Sequence, residues 1–197
     1  ELPNLSTVGK EDDFEKVKSK VANILVGFGL IEASNYHLIS GEVLTKKMCI
    51  DYDYVEVEGS VVSEYHALRN WMIPGLMKTL QQNKHHDYPQ KIFEIGTVFK
   101  KDSSCDTGVK EFTRVGMVSC HGEADYTEAR QVLDALLTAL GCDYDVIETD
   151  HDSFIKGRVA RVSVKGKDVA YIGEIKPEVL RNFDLDMPVS GFELNLS

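Results

Sequence analysis

The strand-like segments of this chain come in consecutive pairs joined by turns, and the helix-like segments fall between those runs. Apolar residues recur from Lys91 to Lys101 (Ile92, Phe93, Ile95, Val98, Phe99). A loop carrying Asp, Ser and Gly follows from Asp102 to Lys110, and Phe112 to Ser119 returns as strand. That spacing predicts a long hairpin. The pattern recurs in Val159–Val164 and Val169–Ile175 around the turn Lys165-Gly166-Lys167-Asp168, with a preceding strand near Tyr144–Glu148 and a closing one over Val189–Leu196. Strands joined by tight turns pair antiparallel, because parallel neighbours need a crossover of a dozen or more residues. The expected class is α+β: one domain with a mostly antiparallel sheet flanked by helices.

Three helices have signals of their own. Phe14, Val17, Val21, Leu25 and Phe28 recur at spacings of three and four, predicting a helix over about 12–28 that ends at Gly29. Pro74 suits a first helical position and opens a second, through Leu76, Met77 and Leu80. Asp125 with Glu128 three residues on reads as a capping box before the stripe Ala129, Val132, Leu133, Leu136, Leu137, Leu140, and Gly141 closes it. Ser40 caps a short helix ending near Lys47, and Pro177 starts another. Residues 32–39 and 54–57 read as strands, with a turn at Glu58-Gly59-Ser60.

With 32 acidic against 22 basic residues the net charge is −10. Nucleic-acid binding is driven by Lys and Arg on phosphates, so a large direct footprint is disfavoured. No apolar run reaches the roughly 20 residues that span a bilayer. Cys49, Cys105, Cys120 and Cys142 lack CxxC spacing, which points to reduced thiols. His85-His86 are adjacent and would point about 100° apart on a helix, a poor arrangement for one metal ion. No GxSxG is present, and Gly27-x-Gly29 follows a helix rather than a strand, so neither a serine nucleophile nor a dinucleotide loop is expected.

Four stretches together resemble the β chain of phenylalanyl-tRNA synthetase, in its archaeal/eukaryotic form. They are Leu68-Arg69-Asn70-Trp71-Met72-Ile73-Pro74-Gly75-Leu76 with Asn83-Lys84-His85; Tyr88-Pro89-Gln90-Lys91-Ile92-Phe93-Glu94-Ile95-Gly96; Ser153-Phe154-Ile155-Lys156-Gly157-Arg158-Val159-Ala160; and Ile172-Gly173-Glu174-Ile175-Lys176-Pro177-Glu178-Val179-Leu180 closing with Gly191-Phe192-Glu193-Leu194. The chain departs from that pattern at Glu58-Gly59-Ser60, where an Asn-Pro pair is usual nearby, and at Lys176, where His is usual. The opening Leu2-Pro3-Asn4-Leu5-Ser6-Thr7-Val8-Gly9 is similar to the join with a preceding domain. Residues 1–11 are therefore expected to be an extended lead-in, and 12–197 the catalytic-like module. A start at Glu1 rather than Met fits a piece of a longer chain.

The resemblance implies a class II aminoacyl-tRNA synthetase-like core in the cytoplasm, paired with the catalytic α chain in an α2β2 enzyme that charges tRNA with phenylalanine. Catalysis in such a core needs arginines on the ATP phosphates, because guanidinium forks match phosphate oxygens. Here Phe93-Glu94-Ile95-Gly96 occupies the strand that would supply one, and a carboxylate there repels phosphate. No catalytic, metal or cofactor-binding residue is expected in this segment; ATP and magnesium belong to the whole enzyme, and tRNA is contacted indirectly at most. Glu94, Glu174 and Glu193 lie in apolar strands, with Arg69, Arg158 and Arg161 as the nearest cations. They read as ion pairs tying sheet to loops, or as a residual ligand pocket on the open sheet face. Phe14, Val17, Val21 and Leu25 either pack on the module's own sheet or meet the α chain. The alternatives are a free-standing paralogue that binds a small molecule or regulates a partner, and an adenylate-forming ligase with an atypical site.

Overall fold

In the computed structural model the described residues are 9–60, 62 and 64–197. Most of the expected lead-in, residues 1–8, lies outside them. Helix α1 (Asp13–Gly27) starts where the Asp12 carboxylate accepts from the Phe14 amide at 2.9 Å. It ends in a Schellman motif: Gly29 takes φ +78°, its N–H donates to Val26 O, and Leu30 N–H donates to Leu25 O. The segment after α1, expected as one strand, is two short ones: β1 (Ile31–Glu32) and β2 (Leu38–Ile39). Between them the Asn35 amide and side chain both donate to Glu94, and that pulls the backbone out of any ladder.

Ser40 caps α2 (Gly41–Leu44), and β3 (Val55–Glu56) and β4 (Ala67–Leu68) follow. Helix α3 (Ile73–Asn83) carries Pro74 in its first turn. The hairpin is β5 (Gln90–Lys101) with β6 (Val109–Cys120), then α4 (Tyr126–Ala139) and β7 (Asp145–Glu148). Asp125 caps α4 by accepting from Glu128 N–H at 2.8 Å. The reciprocal half of the expected capping box is not formed: the Glu128 carboxylate is taken by Lys91, Ser119 and His121. Gly141 closes α4 with the same Schellman pair of bonds as Gly29 closes α1.

β8 (Phe154–Val164) and β9 (Lys167–Ile175) form a hairpin whose two turn residues, Lys165 and Gly166, both have positive φ, as a type I′ turn requires. α5 (Pro177–Asn182) and β10 (Val189–Asn195) complete the chain. The main sheet has seven strands in the order β1-β5-β6-β10-β9-β8-β7. It is mixed rather than wholly antiparallel, since β1 runs parallel to β5 at the edge. β2, β4 and β3 make a separate three-stranded sheet.

Alternation along the strands divides the core in two. On one face α1 and α4 pack on Phe93, Met117, Val162, Ile172 and Phe192. On the other, α3, α5 and the segment leading into α3 pack on Ile92, Val118, Val159, Ile175 and Val189. α3 leans on β5, β6 and β10. At the other end of that face the strands stay uncovered, and a cavity opens there.

Candidate functional site

Three glutamates project from the sheet, and each is held in the same way. Glu94 is buried (3% exposed) and accepts from Arg69 Nη1 at 2.6 Å, Asn35 N–H at 3.1 Å and Asn35 Nδ2 at 2.7 Å. Glu193 accepts from Arg114 Nη1 at 2.6 Å, Met72 N–H at 2.7 Å and Ile73 N–H at 3.2 Å. Glu174 accepts from Arg158 Nη1 at 2.6 Å and Tyr126 N–H at 3.0 Å. Each strand carboxylate thus takes one guanidinium plus backbone amides of a segment lying on the sheet. Two of those segments are helix starts, where amides lack intrahelical partners and the dipole favours negative charge. α3 has no side-chain cap of its own, so Glu193 supplies one from across the sheet.

Glycines make this docking possible. A Cβ at Gly96 would overlap the Arg69 guanidinium, and one at Gly116 would come within 2.7 Å of Met72 Cβ. Arg69 is further fixed by its Nε–H donating to Thr97 O at 2.8 Å.

Of the residues singled out from sequence, Arg69 meets Glu94 and Arg158 meets Glu174. Arg161 meets neither: its Nε is 3.1 Å from Asp168, and its guanidinium lies 3.9 Å from the Tyr171 ring centre. The partner of Glu193 is Arg114, a residue not among those expected from sequence. The available signal was strand alternation, which sets Arg114 on the face of β6 shared with Gly116 and Val118. On α1, Val21 and Leu25 are fully buried in the module's own core, while Val17 keeps 38% of its surface.

The cavity at the open end of the sheet has a volume of about 520 Å³. Its floor is built from alternate residues of adjacent strands: Arg114, Glu193, Tyr171 and Arg161, with Glu193 beside Tyr171 and Tyr171 beside Arg161 in register. Its walls are Tyr52, Asn70, Trp71 and His151, with Lys100 and Lys101 at the end of β5. Burial pushes His151 down to about 4, so the ring is neutral at pH 7. Its Nδ1 accepts from Ser153 N–H at 3.2 Å, so the proton resides on Nε2, 3.0 Å from Tyr52 Oη. Tyr52 Oη therefore accepts, and its own hydrogen stays available. Burial, followed by Tyr171 and Glu193, raises the Tyr52 pKa and keeps that hydrogen in place.

Five buried side-chain polar atoms lack a hydrogen bond among the described residues, and four belong to residues lining this cavity: Asn70 Oδ1, Trp71 Nε1, Arg114 Nε and Arg161 Nε, of which the last still meets Asp168 as an ion pair at 3.1 Å. An unpaired buried group costs about 1–3 kcal/mol. Their clustering marks this cavity as the place where the polar inventory of the fold is incomplete. Among the described residues no group of three or more His, Cys, Asp or Glu could hold a metal ion, and no helix is long and apolar enough to cross a membrane.

The profile of the family described as "Phenylalanyl tRNA synthetase beta chain CLM domain" matches residues 1–196. The chain is similar to proteins named phenylalanine–tRNA ligase beta subunit: 40% identical over 197 residues to those of Thermococcus sibiricus and Pyrococcus abyssi, and 40% to that of Methanocaldococcus jannaschii. These alignments take in 100% of this chain and 35–36% of each relative, so the chain spans about a third of their length. A profile match over nearly every residue, with that identity along the whole length, shows that this chain belongs to the phenylalanyl-tRNA synthetase beta chain family, in its CLM domain.

Proposed function

We propose that this module is a class II synthetase-like core that has given up catalysis and serves assembly: it pairs with the α chain, and the complex charges tRNA with phenylalanine in the cytoplasm using ATP and magnesium. The loss of catalysis follows from Glu94. Both of its oxygens are occupied by Arg69 and Asn35, on a strand where phosphate chemistry would need a free guanidinium.

The observation that carries the pairing is the apolar surface at the end of α1 and the start of the sheet. Val26, Phe28 and Ile31 are 55%, 46% and 69% exposed within one short stretch. Ile31 belongs to β1, the last strand of the main sheet on that side. An apolar edge strand invites a partner, and interfaces of obligate complexes resemble a core cut in half. The interface is accordingly centred on Val26, Phe28 and Ile31, with Phe14 and Val17 extending it toward the start of α1 and Val21 and Leu25 buried behind the helix.

The test is co-purification of the α chain with full-length β chain carrying Phe28→Asp and Ile31→Asp. Loss of the complex with an unchanged unfolding midpoint for the module is the expected result; a complex of undiminished affinity would refute the assignment. Micromolar ATP binding by the β chain alone would overturn the non-catalytic reading.

A further inference from the structure

We propose that the cavity on the open face of the sheet binds a small ring-bearing monocarboxylate, with the Lys100 ammonium meeting the carboxylate and the Trp71, Tyr52 and Tyr171 rings receiving the ring. The inference does not depend on pairing with the α chain.

Charge bookkeeping at the cavity fixes the sign of the ligand. Three of its four cations have a carboxylate: Arg114 with Glu193 at 2.6 Å, Lys101 with Asp53 at 2.6 Å, and Arg161 with Asp168 at 3.1 Å. Lys100 has none within ion-pair distance among the described residues; its nearest recorded neighbour is the Phe112 ring, 6.0 Å from Nζ. Burial, then the positive charge of Arg114, lowers the Lys100 pKa against the opposing pull of Glu193, with Arg161 adding a smaller push downward. One cation is in surplus, so a monoanion neutralises the site and a dianion overshoots it. A zwitterionic amino acid fits poorly, because each lining carboxylate already has a cation.

The hydrogen-bonding inventory agrees. Trp71 and Asn70, buried to more than nine-tenths, hold an unpaired donor and an unpaired acceptor on the wall. Arg114 adds an unpaired Nε–H, and Tyr52 adds its free hydroxyl hydrogen. Donors outnumber the one orphan acceptor, as a carboxylate requires. The walls are aromatic: Tyr52 and Trp71 pack edge to face at 5.7 Å, and His151 contacts both. A volume of about 520 Å³ lies within the range of small-molecule sites.

The probe is phenylacetate, titrated calorimetrically into full-length β chain without the α chain. Trp71 is the single tryptophan of the 197-residue chain, and the part of the emission change in full-length β chain that Trp71→Phe abolishes reports occupancy of this cavity. A saturable change with Kd of about 1 mM or tighter is expected in both measurements. Phenylacetamide, phenylalanine and AMP should bind at least about tenfold more weakly. Lys100→Met should weaken phenylacetate by about tenfold at an exposed strand end where the fold is unaffected, and Tyr52→Phe by severalfold with the ring retained. Absence of a saturable Trp71 signal up to about 10 mM would overturn the proposal. So would equal affinity for phenylacetamide, tighter binding of AMP, or indifference to Lys100→Met.

Discussion

Removing the Glu94 carboxylate tests the claim that strand carboxylates hold the covering segments onto the sheet. Glu94→Ala leaves the Arg69 guanidinium buried with one remaining bond, to Thr97 O, and strands the Asn35 amide and side chain. Both partners are nearly inaccessible to water, at 3% and 4% of side-chain surface, so solvent does not screen the loss. Breaking such a pair by deleting one member costs about 3–5 kcal/mol. With a urea dependence of about 2 kcal/mol per molar, the unfolding midpoint should fall by about 1.5–2.5 M with unchanged slope. The double variant Arg69→Met/Glu94→Leu should cost less than the sum of the singles, with a coupling of about 2–3 kcal/mol, because it removes the buried charge together with its partner. A Glu94→Ala cost below about 1 kcal/mol at constant slope, or additive single variants, would refute the reasoning.

Three further outcomes follow from the same geometry. His151 has a folded pKa of about 4 against an ordinary 6.5, so the unfolded chain binds more protons between those values and stability falls as pH drops through that window; the loss reaches about 3 kcal/mol at pH 4, and His151→Gln should flatten it in urea unfolding. Burial works to raise the Glu128 pKa, but bonds from Lys91, His121 and Ser119 outweigh it and the net shift is downward; its contribution is therefore whole above pH 4.5 and lost as pH falls below that, and Glu128→Gln should remove that acid limb from the stability profile. Gly96→Ala should destabilise by about 1–3 kcal/mol in the same assay, since the Arg69 guanidinium it displaces is locked between Glu94 and Thr97.

Much of the architecture was legible in the chain because local signals carried it. The Schellman glycines, the Asp125 cap and the Lys165-Gly166 turn act within a few residues, where sequence and geometry are tied directly. The segment after Gly29 has the local pattern of one strand, but the competing interaction, Asn35 with Glu94, joins residues 59 positions apart. Glu128 illustrates the same limit: its spacing from Asp125 suits a capping box, yet Lys91, Ser119 and His121 outbid the local bond. Alternation sets the face of Arg114, but its pairing with Glu193 is fixed by register across β6 and β10, which no local pattern encodes.

By itself the sequence determined the α+β class and the family. These depend on residue identity and short-range periodicity. Only the tertiary structure decided which guanidinium neutralises which carboxylate, which part of α1 remains exposed, and that three unpaired polar atoms gather at one cavity beside a surplus lysine. Those are properties of strand register and of segments folded onto the sheet, and they arise from distances between residues far apart in the chain.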